Sequence, residues 1–190
     1  MTVRLTRIYT RTGDEGTTAL GDMSRVLKVD PRVGAYADCD EANAALGMAI
    51  ALGNLSDEVS AVVRTVQNDL FDVGADLCTP ISNDPKHSPL RVGQEQVDRL
   101  EKHCDKFNVD LPKLDSFILP GGTAGGALLH NARAVARRAE RSAWFAAETS
   151  DINRIALRYL NRLSDLLFIL ARVENPNGDI KWLPGGDRTF

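Results

Sequence analysis

The sequence has 190 residues, 43% of them apolar and 26% charged, with a formal net charge of −3 at neutral pH. That is enough chain for one domain with a sizeable core, and the slight acidity excludes a general attraction to nucleic acid or anionic membranes. No apolar run approaches the roughly 20 residues of a membrane span, the N-terminus lacks a secretory signal's apolar stretch, and three widely spaced cysteines without a CxxC motif (Cys39, Cys78, Cys104) suit reduced thiols in the cytosol.

Residues 1–29 are rich in Thr, Gly, Arg and Asp and lack helical periodicity, so an extended or loop segment is expected there. Asp30-Pro31 reads as an N-cap followed by proline at the first helical position, opening a helix that stops at Gly53-Asn54. Ser56 caps a second helix, whose apolar positions Val59, Val62, Val63, Val66, Leu70, Val73 and Leu77 follow a helical stripe. A proline-containing loop, Thr79 to Pro89, precedes a third helix expected from Ser88-Pro89, carrying Val92, Val97, Leu100 and Phe107. A connector leads to a fourth helix from about Thr123 to Glu148, and Asp151 is expected to cap a fifth, with Ile152, Ile155, Tyr159, Leu163, Leu166, Leu167 and Leu170 facing the core. The tail, residues 176–190, is turn-rich.

Five long helices with few strand signals predict an all-α, antiparallel five-helix bundle spanning residues 30–175 of a single domain. Residues 1–29 have too few apolar side chains for a core of their own and must lie on the bundle, a neighbour or a ligand.

The stretch Phe117 to Arg141 carries the most chemistry: a strand-like entry, a Pro-Gly-Gly turn, then a helix with Arg133, Arg137, Arg138, Glu140 and Arg141 in two turns. Spacings of three and four place 133, 137 and 140 or 141 on one face. Four crowded guanidinium groups repel unless something anionic lies beside them. Acidic side chains such as Asp38, Asp40 and Glu41 can supply a salt-bridge network; alternatively, arginine forks match phosphate oxygens.

A second candidate is Thr10-Arg11-Thr12-Gly13-Asp14-Glu15-Gly16-Thr17-Thr18, where glycines let successive N–H groups converge on an anion and Lys28 extends a positive wall. It is not a P-loop, and a plain surface turn is the competing reading. Asn161 and Asp165, four apart on one helix beside apolar residues, are expected to be partly buried, either tying helices together or recognising a ligand's polar edge. Phe117 and His130 read locally as interior residues.

Taken in order, TRTGDEGTT, Lys28 with DPR, YADCDEAN, FILPGGT, ALLHNARAVARRAER, RYLNRLSDLLFILAR and the KWLPG tail resemble the PduO-type corrinoid adenosyltransferases. Arg11 stands where many members have lysine, and Gly125-Gly126 loosen the start of the fourth helix. The resemblance implies transfer of the 5′-deoxyadenosyl group of ATP to the cobalt of a reduced corrinoid, with release of triphosphate. It implies a cytoplasmic homotrimer with ATP between adjacent subunits, and the 1–29 segment folded over the phosphates. By resemblance Thr10, Arg11, Thr12, Gly13, Asp14, Gly16, Thr17, Thr18 and Lys28 bind phosphates, with Mg2+ carried by the nucleotide and no confident protein metal ligand. Arg137 is the principal phosphate arginine, with Arg138, Glu140 and Arg141 beside it, and Asn161 contacts ATP. Asp40 and Arg133 form a salt bridge at the subunit interface. Phe117 lies beneath the corrin ring, with Asp165 near it. A cob(II)alamin reductase and an adenosylcobalamin-dependent mutase are the implied partners.

Other classes fit less well. A helical interaction or nucleotide-sensing module uses the same bundle without chemistry. A di-iron bundle needs Glu-x-x-His pairs that this chain lacks, and an ATP hydrolase or kinase would need a Walker lysine or a catalytic loop.

Overall fold

The computed structural model describes residues 8–84 and 88–187; the ends of the 1–29 segment and of the tail, and the centre of the 79–89 loop, lie outside the described residues. Five helices dominate: α1 (Pro31–Leu52), α2 (Asp57–Cys78), α3 (Gln94–Asn108), α4 (Ala124–Ala146) and α5 (Arg154–Val173). Two short strands, β1 (Thr17–Ala19) and β2 (Arg25–Leu27), precede them as an antiparallel hairpin.

The helix starts follow local chemistry. Asp30 accepts the Arg32 N–H at 2.8 Å, Ser56 accepts from Val59, and Thr123 accepts from Gly126 at 3.0 Å, each satisfying an orphan first-turn donor. Two starts differ from expectation. α3 begins at Gln94 rather than near Pro89, because the segment before it is committed elsewhere: Arg91 and the Val92 N–H both donate to Asp76, and the Gly93 N–H is capped by Gln96 Oε1 at 2.6 Å. α5 is capped by Asn153, whose side chain accepts from Ile155, and not by Asp151, whose carbonyl accepts from buried Arg32.

α1 packs against α2 and α4, α4 against α5, and α5 against α3. Small side chains are frequent in the interiors of the closely packed α1 and α4: Ala35, Ala42, Ala45 and Ala49 of α1 and Ala132, Ala136, Ala139, Ala143 and Ala146 of α4 are all buried. At one end the backbones nearly touch, since a Cβ on Gly125 would lie 2.8 Å from the Gly53 carbonyl oxygen. Gly125 and Gly126 therefore permit close approach rather than loosening the helix start; a Cβ on Gly126 would meet Asn175 Oδ1 at 2.5 Å.

Not every neighbour is antiparallel. Contacts pair residue 94 with 158 and 101 with 162, so α3 and α5 run in the same direction. This is the direction that alternation gives, since α4 runs antiparallel to α5, and the 109–123 connector stays at the end of the bundle where α3 finishes and α4 begins.

Two buried carboxylates stitch the bundle. Asp69 of α2 accepts both Arg99 Nη2 contacts, at 2.7 and 2.8 Å, and the Tyr159 hydroxyl at 3.0 Å. Asp76 accepts from Arg91 at 2.6 Å, from the Val92 N–H at 2.8 Å and from Asn153 at 2.6 Å. Each buried charge thus has several donors, the condition under which burial is tolerable.

Candidate active site

The arginines are carried by the alanine-rich helix α4. The inner positions of α4 are mostly glycine and alanine, with Leu129, His130 and Val135 the larger buried exceptions, and its long polar residues border a cleft of about 500 Å3 lined by Arg133, Arg137, Arg138, Glu140 and Arg141 among others.

Their partners divide them. Arg138 Nε donates to Asp38 at 3.2 Å and its Nη2 pairs with Glu41, so this arginine is neutralised by α1. The contact to Glu41 comes first in holding its guanidinium above its ordinary pKa. Arg138, placed by resemblance with the phosphate arginines, is thus engaged structurally within the chain. Among the described residues neither Arg137 nor Arg141 makes a hydrogen bond or ion pair, and both are exposed to the cleft. Glu140 is held by Asn161, whose amide donates to it at 3.1 Å across the α4–α5 boundary.

Arg133 is different again. Its Nε is buried without a partner among the described residues, its guanidinium lies over the Phe168 ring at 5.8 Å, and burial followed by the Arg137 charge lowers its pKa. Asp40, its expected partner, lines another surface altogether, an α1–α2 groove of about 440 Å3 with Tyr36, Phe71 and Cys78. No ion pair joins the two within the described chain. Below Arg133, His130 is 3% exposed and packs edge-on against Phe168; burial first, then the Arg133 charge, pushes its pKa below the ordinary 6.5. Neither ring nitrogen has a partner among the described residues, so His130 is interior, as its sequence suggested, but unsatisfied there.

The N-terminal segment forms a separate cradle. Arg11 takes a left-handed backbone (φ 62°), and the Gly16 N–H donates to Gly13 O at 3.2 Å, curling residues 11–16 into successive turns. The Lys28 N–H closes the loop by donating to Gly16 O at 2.8 Å, and the Lys28 amine lies 3.3 Å from where a Gly13 Cβ would stand. Arg25 reaches back from β2 to donate to Thr12 O at 2.6 Å and to Thr17 Oγ1. Sequence reasoning missed Arg25; its signal was the hairpin register that sets Arg25 opposite Ala19 and near the loop. The hairpin turn docks on the end of α2, where the Gly21 N–H donates to Cys78 O at 3.0 Å. It therefore sits on the α1–α2 side, and no hydrogen bond or ion pair among the described residues joins it to the arginine cleft of its own chain.

Phe117 is 80% exposed at the opposite end, beside the start of α4, and not in the core. Asp165 does not accompany it. That carboxylate accepts from Arg162 at 2.6 Å, and Arg162 also reaches Glu101 of α3 at 3.0 Å. Asn161 and Asp165 are both exposed, contrary to the expected partial burial, because they flank the Leu163–Leu167 core face rather than lie in it. Among the described residues no group of three or more His, Cys, Asp or Glu side chains is placed to hold a metal ion, and no helix is long and apolar enough to cross a membrane.

An unpaired arginine face, a glycine-bent cationic loop and a projecting aromatic side chain coincide with a match of residues 8–174 to the family described as cobalamin adenosyltransferase. The chain belongs to the cobalamin adenosyltransferase family. A corrinoid adenosyltransferase of Mycobacterium bovis is 63% identical over all of this chain and 99% of its own length, and one of Bacillus subtilis is 38% identical over 93% of this chain and 92% of its own. Among solved structures, a variant PduO-type ATP:corrinoid adenosyltransferase from Lactobacillus reuteri complexed with cobalamin and ATP superposes with TM-score 0.86 at 37% identity, covering 93% of this chain and 99% of that one. A second variant of that protein, complexed with ATP, superposes with TM-score 0.84. This family membership accounts for the five-helix frame.

Proposed function

We propose that this cobalamin adenosyltransferase moves the 5′-deoxyadenosyl group of ATP onto the cobalt of a reduced corrinoid with its arginine cleft as the triphosphate site. The observation that carries this assignment is the split within one helix turn: Arg138 has its carboxylates, while Arg137 and Arg141 have none among the described residues. Co(I) attacks the ribose C5′, the C5′–O bond breaks, and the electron pair leaves with triphosphate. Negative charge grows on the leaving oxygen, where fixed guanidinium groups lower the barrier. Glu140, steered by Asn161, is placed to accept from hydroxyls of the sugar. The nucleophile is the metal of the substrate, so no protein nucleophile is required. Mg2+ suits the phosphate oxygens of ATP, where it would share their charge.

The cradle and the cleft lie on different faces of one chain, which fits a site completed by a second copy. In a closed ring of three copies, each boundary brings one subunit's α1–α2 side to the next one's α4 face. Thr10–Thr18 and Lys28 would then cover the phosphates held by Arg137. Exposed Asp40 would also meet Arg133, whose buried Nε lacks an acceptor among the described residues of its own chain. Phe117 is assigned to the face of the corrin ring away from ATP, where a bulky apolar group excludes water and the lower axial base. Removing axial donors eases reduction of Co(II) to Co(I), because those donors stabilise the higher oxidation state. A cytosolic setting, an external reductase and a mutase that accepts the product complete this reading.

Arg137→Ala is expected to lower adenosyl transfer about a hundredfold or more, the scale for losing one preorganised transition-state donor, while circular dichroism stays unchanged. Full activity in that variant overturns the assignment.

A further inference from the structure

The segment that carries Phe117 is held from one side by the tail. Ile118 bridges Lys181 in antiparallel fashion, the Leu119 N–H donates to Ile180 O at 2.8 Å, and the Trp182 N–H donates to Phe117 O at 2.8 Å. This register sets Phe117 directly opposite Trp182, so both side chains project from the same face of the two-stranded strap. Their rings meet edge to face, with centroids 6.2 Å apart and planes at 73°.

The strap has anchors of its own. Buried Arg172 donates to Asp179 at 2.8 Å and to Pro112 O at 2.7 Å, fixing both incoming segments to the end of α5. Lys181 pairs with Asp115 at 2.8 Å, and the Ser116 hydroxyl donates to Trp182 O at 3.3 Å. None of these bonds uses the indole. The ring of Trp182 is therefore spare as far as the strap is concerned, and the side chain it meets is Phe117. An aromatic residue left 80% exposed has few neighbours to choose its rotamer.

We infer that Trp182 is a positioning residue for the transferase reaction, holding the Phe117 ring edge-on so that it presents a fixed apolar surface to the corrin. The inference rests on the assignment of Phe117 to the corrin face. A Phe117 ring free to swing aside would yield to an axial ligand; a ring braced by the Trp182 indole does not. The brace matters where an axial donor has to be displaced, in turnover that starts from Co(II), and matters less when Co(I) is supplied.

Trp182→Leu keeps apolar bulk and the strap's backbone bonds while removing the aromatic edge. Turnover of the full chain from Co(II) should fall roughly five- to tenfold, the range that loss of one edge-to-face pair supports, with a clearly smaller loss from prereduced Co(I). The absorbance change that marks loss of the axial ligand in the Co(II) complex with ATP should weaken in parallel. Trp182→Phe should recover most of both signals, and Trp182→Leu should add nothing in a Phe117→Ala background, because the two act through one ring. Equal losses from Co(II) and Co(I), additive losses with Phe117→Ala, or unaltered turnover in Trp182→Leu would each overturn the inference. If Phe117→Ala itself leaves Co(II) turnover intact, the Phe117 assignment fails and the inference falls with it. A measurement that leaves Trp182 in place guards against misfolding: in a Trp144→Phe protein the remaining indole emission should be strongly quenched when corrinoid binds, and unquenched emission places Trp182 away from the ring.

Discussion

Arg137 and Arg138 are adjacent in sequence and opposite in circumstance, and the difference comes from α1. Asp38 and Glu41 reach the side of α4 that Arg138 occupies, and a turn of about 100° per residue leaves Arg137 facing the cleft. The residues themselves left open whether these arginines meet acidic side chains or phosphate, and the pairing of Arg138 with Asp38 and Glu41 was not legible because it depends on the long-range register between two helices. His130 carries a consequence for acid stability. Its pKa is pushed below the ordinary 6.5, chiefly by burial, so the unfolded chain takes up a proton that the folded chain resists. Stability present above 6.5 is then lost as pH falls toward the folded value. His130→Leu should flatten the acid side of a melting-temperature profile, leaving a residual slope from His103, which is shifted in the same direction. An unaltered profile would place the acid sensitivity elsewhere.

The helix boundaries were most legible where a cap and its first turn were contiguous. Asp30-Pro31, Ser56 and Thr123 each announced a start that the chain adopts, since the hydrogen bond closing the cap spans two or three residues. The two misplaced starts fail for one reason. Both lie beside Asp76, whose side chain gathers Arg91 and the Val92 N–H from one segment and Asn153 from another, and such tertiary demands override local capping preference. Asp76→Ala would leave these donors unpaired in the interior and should destabilise the fold by on the order of 3–5 kcal/mol, the scale for breaking a buried pair from one side. Urea unfolding checks this; a loss within the range of an ordinary surface change would mean water satisfies the donors. The hairpin was expected only as an extended segment, because three-residue strands carry too little alternation to read.

For the whole molecule, the five-helix frame and its alternating directions followed from periodicity, while the packing of α3 against α5 rather than α4 did not, because periodicity does not choose neighbours. That the hairpin docks on the end of α2 while the arginines line a cleft on α4 was not legible in the motifs themselves, which give order along the chain but no sidedness; a site shared between subunits was implied by the resemblance alone. The proposed assembly makes Asp40 and Arg133 partners across a boundary. Asp40→Arg or Arg133→Asp alone should weaken association by on the order of 2 kcal/mol or more per boundary, the scale for stranding one member of an interfacial charge pair. Combining both changes in every chain should restore it, with sedimentation velocity reporting the species present. Failure of the double variant to recover would remove this pair from the boundary.

The alanine-rich packing of α1 and α4 has an implication for how such a molecule can vary. Alanines buried on both of these closely packed helices leave little slack between the helix axes, so an added carbon at Ala136 or Ala139 has no space to enter and must lift α4 outward. Because the guanidinium row rides on that same rod, its distance from any bound anion is gauged by residues that never approach the anion. The outer face of α4 is free to trade one polar group for another, whereas the stretch of its inner face built from Ala132, Ala136, Ala139, Ala143 and Ala146 is held to the smallest side chain with a Cβ.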